Sequence, residues 1–490
     1  MLQLIFDDTL AVPEGVRAVV GVGRFGSLVF DHQSRVEAMR DLTREAGWPP
    51  LVHLCSPADI TKFIEGLDKD GKDIPYLVCP SHLAPACSRE SLRTFLRQVE
   101  YAPSALHMPL KGAGDWRGWS LMRGNLLEKF LTMQLEGDAA GFFQQHREML
   151  TDIVDRLQLV DLSDERTLQD FLSGQFDARH FNAIEREEYT VVKRSKDRTK
   201  LKREYAFYQL VPPAMRMFLV QPFDFADNGE TASYRMERVC VPDMATQWLH
   251  NAFAPAEFER FMNHVFHFIS IRPERRVGKV EATAVFDALY VAKVEERIAA
   301  LKTLPAYSKL APLLERACGG IDTLVNRYFV LLERNRGRFP LKRLVIGHGD
   351  LCFSNILYSK ANQYLKLIDP RGTEDENGLY TDPYYDVAKL SHSVLGEYDF
   401  INQDLFGIAV DAELGLRLDI KNASREWAQK LFHAQLAKPG FDAELTRLCE
   451  ASLFISMLPL HIDRPRKVLA FAIKAGSILD TIANKKDILQ

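Results

Sequence analysis

Over the first 175 positions, apolar and polar residues fall into two kinds of block. Short apolar runs at Leu2–Phe6, Val16–Val22, Leu51–Leu54 and Tyr76–Cys79 predict strands, and amphipathic segments at Ser34–Glu45, Pro57–Leu67 and Ser88–Val99 predict helices. Ser34 and Ser88 stand where N-caps are expected, since a hydroxyl there accepts one of the first unpaired amides of a helix. The stretch from Gly118 to about Leu159 reads as further helix. Such alternation is the signature of an α/β layer fold.

Near Gln175 the pattern changes. A hairpin-like run from Phe181 to Lys193 precedes a basic helix, Thr199–Leu210, which Val211-Pro212-Pro213 closes. Strand candidates Phe218–Asp224 and Tyr234–Val239 flank the turn Asp227-Asn228-Gly229. From Ala245 onward the chain reads helical, except for a strand–loop–strand stretch at Leu344–Asp369. The predicted organisation is an α/β domain over 1–175, a small β-rich lobe over 176–243 and a large helical lobe over 244–490, without internal repeats.

Composition narrows the possibilities. The chain has 490 residues, 47% of them hydrophobic and 26% charged, which fits a globular chain with a full core and excludes disordered and fibrous classes. Sixty-two Lys and Arg against 66 Asp and Glu give a net charge of -4, so nucleic acid is not expected as the main partner. The seven cysteines are scattered and form no C-x-x-C pair, which suggests neither a disulfide framework nor a zinc site. Met1–Asp8 lacks a basic n-region and no run of about 18 apolar residues occurs, so a cytoplasmic protein without a transmembrane segment is expected.

The segment from Leu344 to Gly372 carries the chemistry. Two apolar strand-like runs enclose Gly347-His348-Gly349-Asp350-Leu351-Cys352-Phe353-Ser354-Asn355, so polar side chains project from a loop with anchored flanks. Phosphoryl transfer from ATP needs a carboxylate to orient the acceptor hydroxyl and oxygen ligands to hold magnesium against the phosphates. Asp350 suits the first task; Asn355 and Asp369 suit the second. The spacing Asp-x-x-x-x-Asn is that of a kinase catalytic loop. His348 is the second catalytic candidate: with Gly349 it would shape the loop, and proton chemistry and plain hydrogen bonding both remain open for it. Cys352 reads as packing.

His348-Gly349-Asp350-x-x-x-x-Asn355, with Ile368-Asp369 after a short hairpin, resembles the signature of the aminoglycoside phosphotransferase and choline/ethanolamine kinase group, whose fold is that of protein kinases. The resemblance covers about residues 178–490 and implies a bilobal kinase-like domain with ATP and Mg2+ as cofactors, following the N-terminal α/β domain, which is expected to be Rossmann-like. By the same resemblance Lys193 would contact the α- and β-phosphates, Glu204 would hold Lys193, and the strand bearing Met236, Glu237 and Val239 would receive adenine. Asp386, in Thr381-Asp382-Pro383-Tyr384-Tyr385-Asp386, would brace the loop. The implied partner is a small-molecule hydroxyl acceptor: a sugar, sugar derivative or amino alcohol. Ile368-Asp369-Pro370-Arg371-Gly372 with Cys352-Phe353-Ser354 looks most like phosphotransferase-like proteins of bacterial surface-polysaccharide pathways. No glycine-rich loop separates the first two small-lobe strands, and the acidic segment Arg371–Gly378 stands where many relatives carry an aromatic.

In the N-terminal part, Gly21-Val22-Gly23-Arg24-Phe25-Gly26 fits G-x-G-x-x-G, but the helix that a dinucleotide site needs does not open at once. Ser27–Ala38 resembles the early part of sugar-nucleotide nucleotidyltransferases, with the glycine-rich loop missing or reduced; a non-catalytic α/β domain is the expectation. The functional readings are therefore a small-molecule kinase, a non-catalytic kinase-like protein that binds nucleotide or a partner, and a bifunctional kinase/nucleotidyltransferase.

Overall fold

The structure, a computed structural model, describes residues 1–30, 33–67, 74–111, 115–175, 182–412, 415–420 and 425–487. Asp31, His32 and Phe181, named above in sequence motifs, lie outside them. The chain divides into two compact units, Met1–Phe176 with His250–Ala252, and Asp177–Leu249 with Phe253–Gln490.

The first unit is built on a six-stranded sheet, in the order Val52–Leu54, Gln3–Asp7, Pro75–Pro80, Gly118–Arg123, Leu106–Pro109 and Thr151–Asp152. Strand alternation sends side chains to two cores. Leu4, Phe6, Leu77 and Leu121 pack with helices Arg35–Ala46 and Arg89–Glu100, while Ile5, Val78 and Met122 pack with helices Pro57–Glu65 and Gly124–Leu135. Ser34 and Ser88 cap the first two of these helices, accepting from the amides of Glu37 and Ser91.

Three expectations fail here. The run Val16–Val22 is not a strand but helix Glu14–Val20, because Val16 and Val20 at i, i+4 bury one face while Gly21 closes the helix at φ +76°. The glycine pattern 21–26 therefore follows a helix, not a strand. Gly118–Leu159 begins as strand Gly118–Arg123, whose Trp119 and Leu121 face one core and Met122 the other. The Rossmann-like expectation gives way to a mixed sheet: Gln3–Asp7 runs parallel to both neighbours, but Gly118–Arg123 is antiparallel to both of its own.

The second unit opens with a four-stranded antiparallel sheet, in the order Asn182–Arg186, Thr190–Ser195, Ala232–Glu237 and Pro222–Asp227. Helix Arg198–Leu210, capped by Asp197, lays Leu201, Glu204, Phe207 and Tyr208 against it. The two later strands are shifted from Phe218–Asp224 and Tyr234–Val239, so Val239 lies beyond its strand. Leu219 bridges to Leu367, joining this sheet's connecting segment to the hairpin of Ile356–Ser359 and Tyr364–Leu367. The rest is mainly helical around Pro255–Ser270, Tyr384–Val394, Ala443–Met457 and Pro465–Asp487, with a three-stranded sheet of Glu274–Arg276, Arg343–Ile346 and Tyr380–Thr381 and a hairpin of Gly407–Val410 and Leu416–Asp419. Among the described residues, no helix is long and apolar enough to cross a membrane.

Candidate active site

The loop between strand Arg343–Ile346 and strand Ile356–Ser359 is fixed from beneath. Phe353 is fully buried, and its amide donates to Ser393 Oγ at 3.2 Å. Asp386, buried in helix Tyr384–Val394, accepts from the amides of His348 at 2.9 Å and Gly349 at 2.7 Å. Arg272 Nη1 donates to the same carboxylate at 3.0 Å. Gly349 has φ +81°, and a Cβ there would lie 2.4 Å from Arg371 Cβ, so only glycine fits without strain.

Held in this way, Asp350 presents a carboxylate whose side chain is 43% exposed, ion-paired with Lys389 Nζ at 2.8 Å. Asn355 Nδ2 donates to the Asp350 carbonyl at 2.9 Å and to its carboxylate at 3.1 Å. His348 is fully buried, and its Nδ1 accepts from the Asp350 amide at 3.3 Å. Burial pushes its pKa below the ordinary value. From beneath the loop it holds the Asp350 amide. Burial pushes the Cys352 thiol up to about 12, which keeps it protonated at neutral pH.

Lys193 joins the four-stranded sheet to the segment after strand Tyr364–Leu367. Its Nζ donates to Glu204 Oε1 at 2.6 Å and to Asp369 Oδ1 at 2.8 Å, and its side chain is 4% exposed. Tyr234, opposite Lys193 in the sheet, donates its hydroxyl to the same Glu204 oxygen. Burial pulls the lysine's pKa down, but the two carboxylates raise it above the ordinary value and keep it charged. Asp369 adopts a left-handed backbone at φ +56° just after strand Tyr364–Leu367, an uncommon conformation for a residue other than glycine. The Ile368 amide donates to the Asn355 carbonyl at 3.1 Å, which sets Asn355 and Asp369 on adjoining chain segments.

Beyond Asp369 the chain docks on the Glu204 helix. The Thr373 amide donates to the Arg203 carbonyl at 3.0 Å, and a Cβ on Gly372 would lie 2.4 Å from the Glu204 nitrogen. Glu374 of the acidic run pairs with Arg203 Nε at 2.8 Å. Met236 is buried in the sheet. The Glu237 amide donates to the Gln221 carbonyl at 3.1 Å and the Arg238 amide to that of Tyr189 at 2.9 Å, so both amides are already paired. The Glu237 carboxylate pairs with Lys366 at 3.2 Å. Val239, in the loop past the strand, accepts from the Val241 amide at 3.0 Å.

Sequence reasoning missed Lys389, Arg272, Lys293 and Tyr385. Lys389 alone left a signal, one turn after Asp386 on a helix face turned to the loop.

A scan against models of protein families found no match, and a search of curated proteins found none. Among solved structures the chain is similar to a choline/ethanolamine kinase family protein from Mesorhizobium loti, at 12% identity over 62% of this chain and 85% of that one, TM-score 0.32. It is also similar to choline kinase from Cryptosporidium parvum Iowa II, at 13% identity over 64% and 88%, TM-score 0.33. A third is a thermostable mutant of an aminoglycoside phosphotransferase in ternary complex with ADP and hygromycin B, at 11% identity over 65% and 98%, TM-score 0.35. Likenesses at this level assign neither activity nor substrate to this chain.

Proposed function

We propose that the chain is an ATP- and magnesium-dependent phosphotransferase acting on a hydroxyl of a small polar molecule, with a small lobe over 176–243 and a large lobe over 244–490. The observation that carries this reading is the chain Glu204–Lys193–Asp369, with Asp369 bound through its neighbour Ile368 to the loop that presents Asp350. Such an arrangement sets a charged lysine and an acceptor-facing carboxylate at two ends of one site, as in-line phosphoryl transfer requires.

In the proposed reaction the acceptor hydroxyl oxygen attacks the γ-phosphorus of ATP and the bond to the β–γ bridging oxygen breaks. ADP leaves, the acceptor becomes a phosphate ester, and its proton passes to Asp350. Asp350 orients the hydroxyl, and Lys193 neutralises the α- and β-phosphates. His348 acts as a positioning residue through the Asp350 backbone. Because the Glu237 and Arg238 amides are committed, adenine is read by backbone from Val239 onward, beside Met236 and Glu237.

The residues fit magnesium, since the Asp369 carboxylate and the Asn355 amide oxygen are hard oxygen donors on adjoining segments. Among the described residues no three His, Cys, Asp or Glu side chains converge on one metal position, so phosphate oxygens and water would complete the shell. When bound, the ion neutralises charge on the phosphates.

The resemblance of the loop motif supports a sugar, sugar derivative or amino alcohol as acceptor, within surface-polysaccharide synthesis. The test is ADP release with Mg-ATP against such a panel, with Asp350→Asn in parallel. Acceptor-stimulated turnover that Asp350→Asn abolishes is expected. ATP binding without turnover for every acceptor would favour a non-catalytic nucleotide-binding protein.

A further inference from the structure

Three cations of the large lobe converge beside Asp350 on one buried phenol. Lys293 Nζ donates to the Tyr385 hydroxyl at 2.8 Å and Arg371 Nη1 at 3.3 Å. The same two charges lie 5.2 and 5.8 Å from the centre of the Tyr385 ring. Lys389, one turn along the helix from Tyr385, brings the third charge and holds Asp350.

These cations come from three separate elements: helix Lys293–Thr303, the segment after Asp369, and helix Tyr384–Val394. A solvated face of one helix does not explain their convergence. Tyr385 is 2% exposed, and burial pushes its hydroxyl pKa up, yet Lys389, Lys293 and Arg371 together take it below its ordinary value. Lys293 is half-buried, and its own pKa is lowered by burial and by Arg371 and Lys389 despite the phenol. Lys389 has Asp350 as counter-ion, but among the described residues neither Lys293 nor Arg371 forms an ion pair with a carboxylate. Lys293 holds its charge half-buried beside the exposed Arg371, and like charges held this close are unfavourable unless an anion completes the set. Arg371 also packs against Gly349, and its amide donates to the His348 carbonyl at 2.7 Å, so the unmatched charge borders the catalytic loop itself.

We propose that Lys293 and Arg371, set on Tyr385 beside Lys389, bind an oxyanion carried by the acceptor, so that the substrate is a hydroxyl compound bearing a phosphate or carboxylate, not a neutral or cationic alcohol. The proposal rests on the phosphotransferase reading for its substrate and on the cation cluster alone for its anion. A planar guanidinium and a lysine on one phenol suit the several acceptor oxygens of such a group.

The experiment uses the full chain with Mg-ATP and matched acceptors: glycerol 3-phosphate, glucose 6-phosphate and gluconate against glycerol, glucose and choline. Turnover of the anionic members is expected, and the phosphate and carboxylate arms separate the two oxyanion sources. Lys293→Gln and Arg371→Gln should each raise the KM for the anionic acceptor at least tenfold while leaving the KM for ATP within about twofold, and Lys293→Arg should restore most of the loss. Inorganic phosphate is titrated calorimetrically in parallel, with Mg and a non-hydrolysable ATP analogue present; binding that Lys293→Gln removes is expected.

Turnover of neutral or cationic acceptors as good as that of the anionic ones overturns the oxyanion site and leaves the phosphotransferase standing. Phosphate binding that Lys293→Gln removes, without any turnover, keeps the oxyanion site and counts against the phosphotransferase. No turnover of anionic acceptors together with no such phosphate binding overturns the oxyanion site.

Discussion

Arg272 and Asp386 form an ion pair at 3.0 Å, with side chains 2% and 0% exposed. The same carboxylate accepts from the His348 and Gly349 amides. Removing one member of a buried pair leaves an uncompensated charge, at a cost of about 3–5 kcal/mol. Asp386→Ala should therefore destabilise the chain by that order in urea unfolding and also abolish turnover. An effect below about 1 kcal/mol would show that the pair does not hold the loop.

Lys193→Met should lower kcat/KM for ATP by roughly 10²–10³-fold, the usual scale for losing one charged donor to a transition state. Glu204→Gln keeps a hydrogen-bonding oxygen for Lys193 and Tyr234 and should cost less. Steady-state kinetics with folded variants check both. Equal losses would mean that the charge of Glu204 matters as much as that of Lys193.

Gly349→Ala places a methyl in the left-handed region and against Arg371. The backbone cost is roughly 1–2 kcal/mol, before the displacement of Arg371 adds to it. Turnover should fall by more than the unfolding midpoint suggests, because the shift occurs next to Asp350. Full activity with a lowered melting temperature would uncouple the loop's shape from its chemistry.

Asp399 is 3% exposed, and burial raises its carboxyl to about 7, against the lowering pull of a hydrogen bond from Ser393. With a folded pKa above the unfolded value near 3.8, its contribution is fully present below that value and is lost as pH rises through about 7. Asp399→Asn mimics the protonated form. Its stability relative to the parent should therefore rise by about 2–3 kcal/mol between pH 5 and pH 8, read from unfolding at each pH. A pH-independent difference would place the titration elsewhere.

What the sequence made legible was whatever the chain keeps local. Asp350, Asn355 and Asp369 fall within 20 residues of one another, the first two between apolar runs and the third just after one, so their grouping needs no tertiary information. Lys193 was reached only through the resemblance, as the charge that ends the run Tyr189–Lys193 ahead of the Asp350 loop. By contrast, Lys293 lies 92 residues from the Tyr385 it meets, and Arg272 114 residues from Asp386. In one dimension each is an ordinary surface-type cation. The valines at 16, 19 and 20 misled for another reason: β-branched residues favour strands, but Pro13 ahead and Gly21 behind define a two-turn helix whose buried face decides the outcome.

The docking of Gly372 and Thr373 on the Glu204 helix has a mechanical meaning. Together with the ion pair through Lys193, it fastens that helix to the strap after Asp369 at successive points, as a seam fastens two cloths. An outward swing of the helix would drag Asp369 with it and part Lys193 from both carboxylates at once. A displacement of that helix would therefore load the Thr373–Arg203 hydrogen bond and the Lys193 ion pairs together.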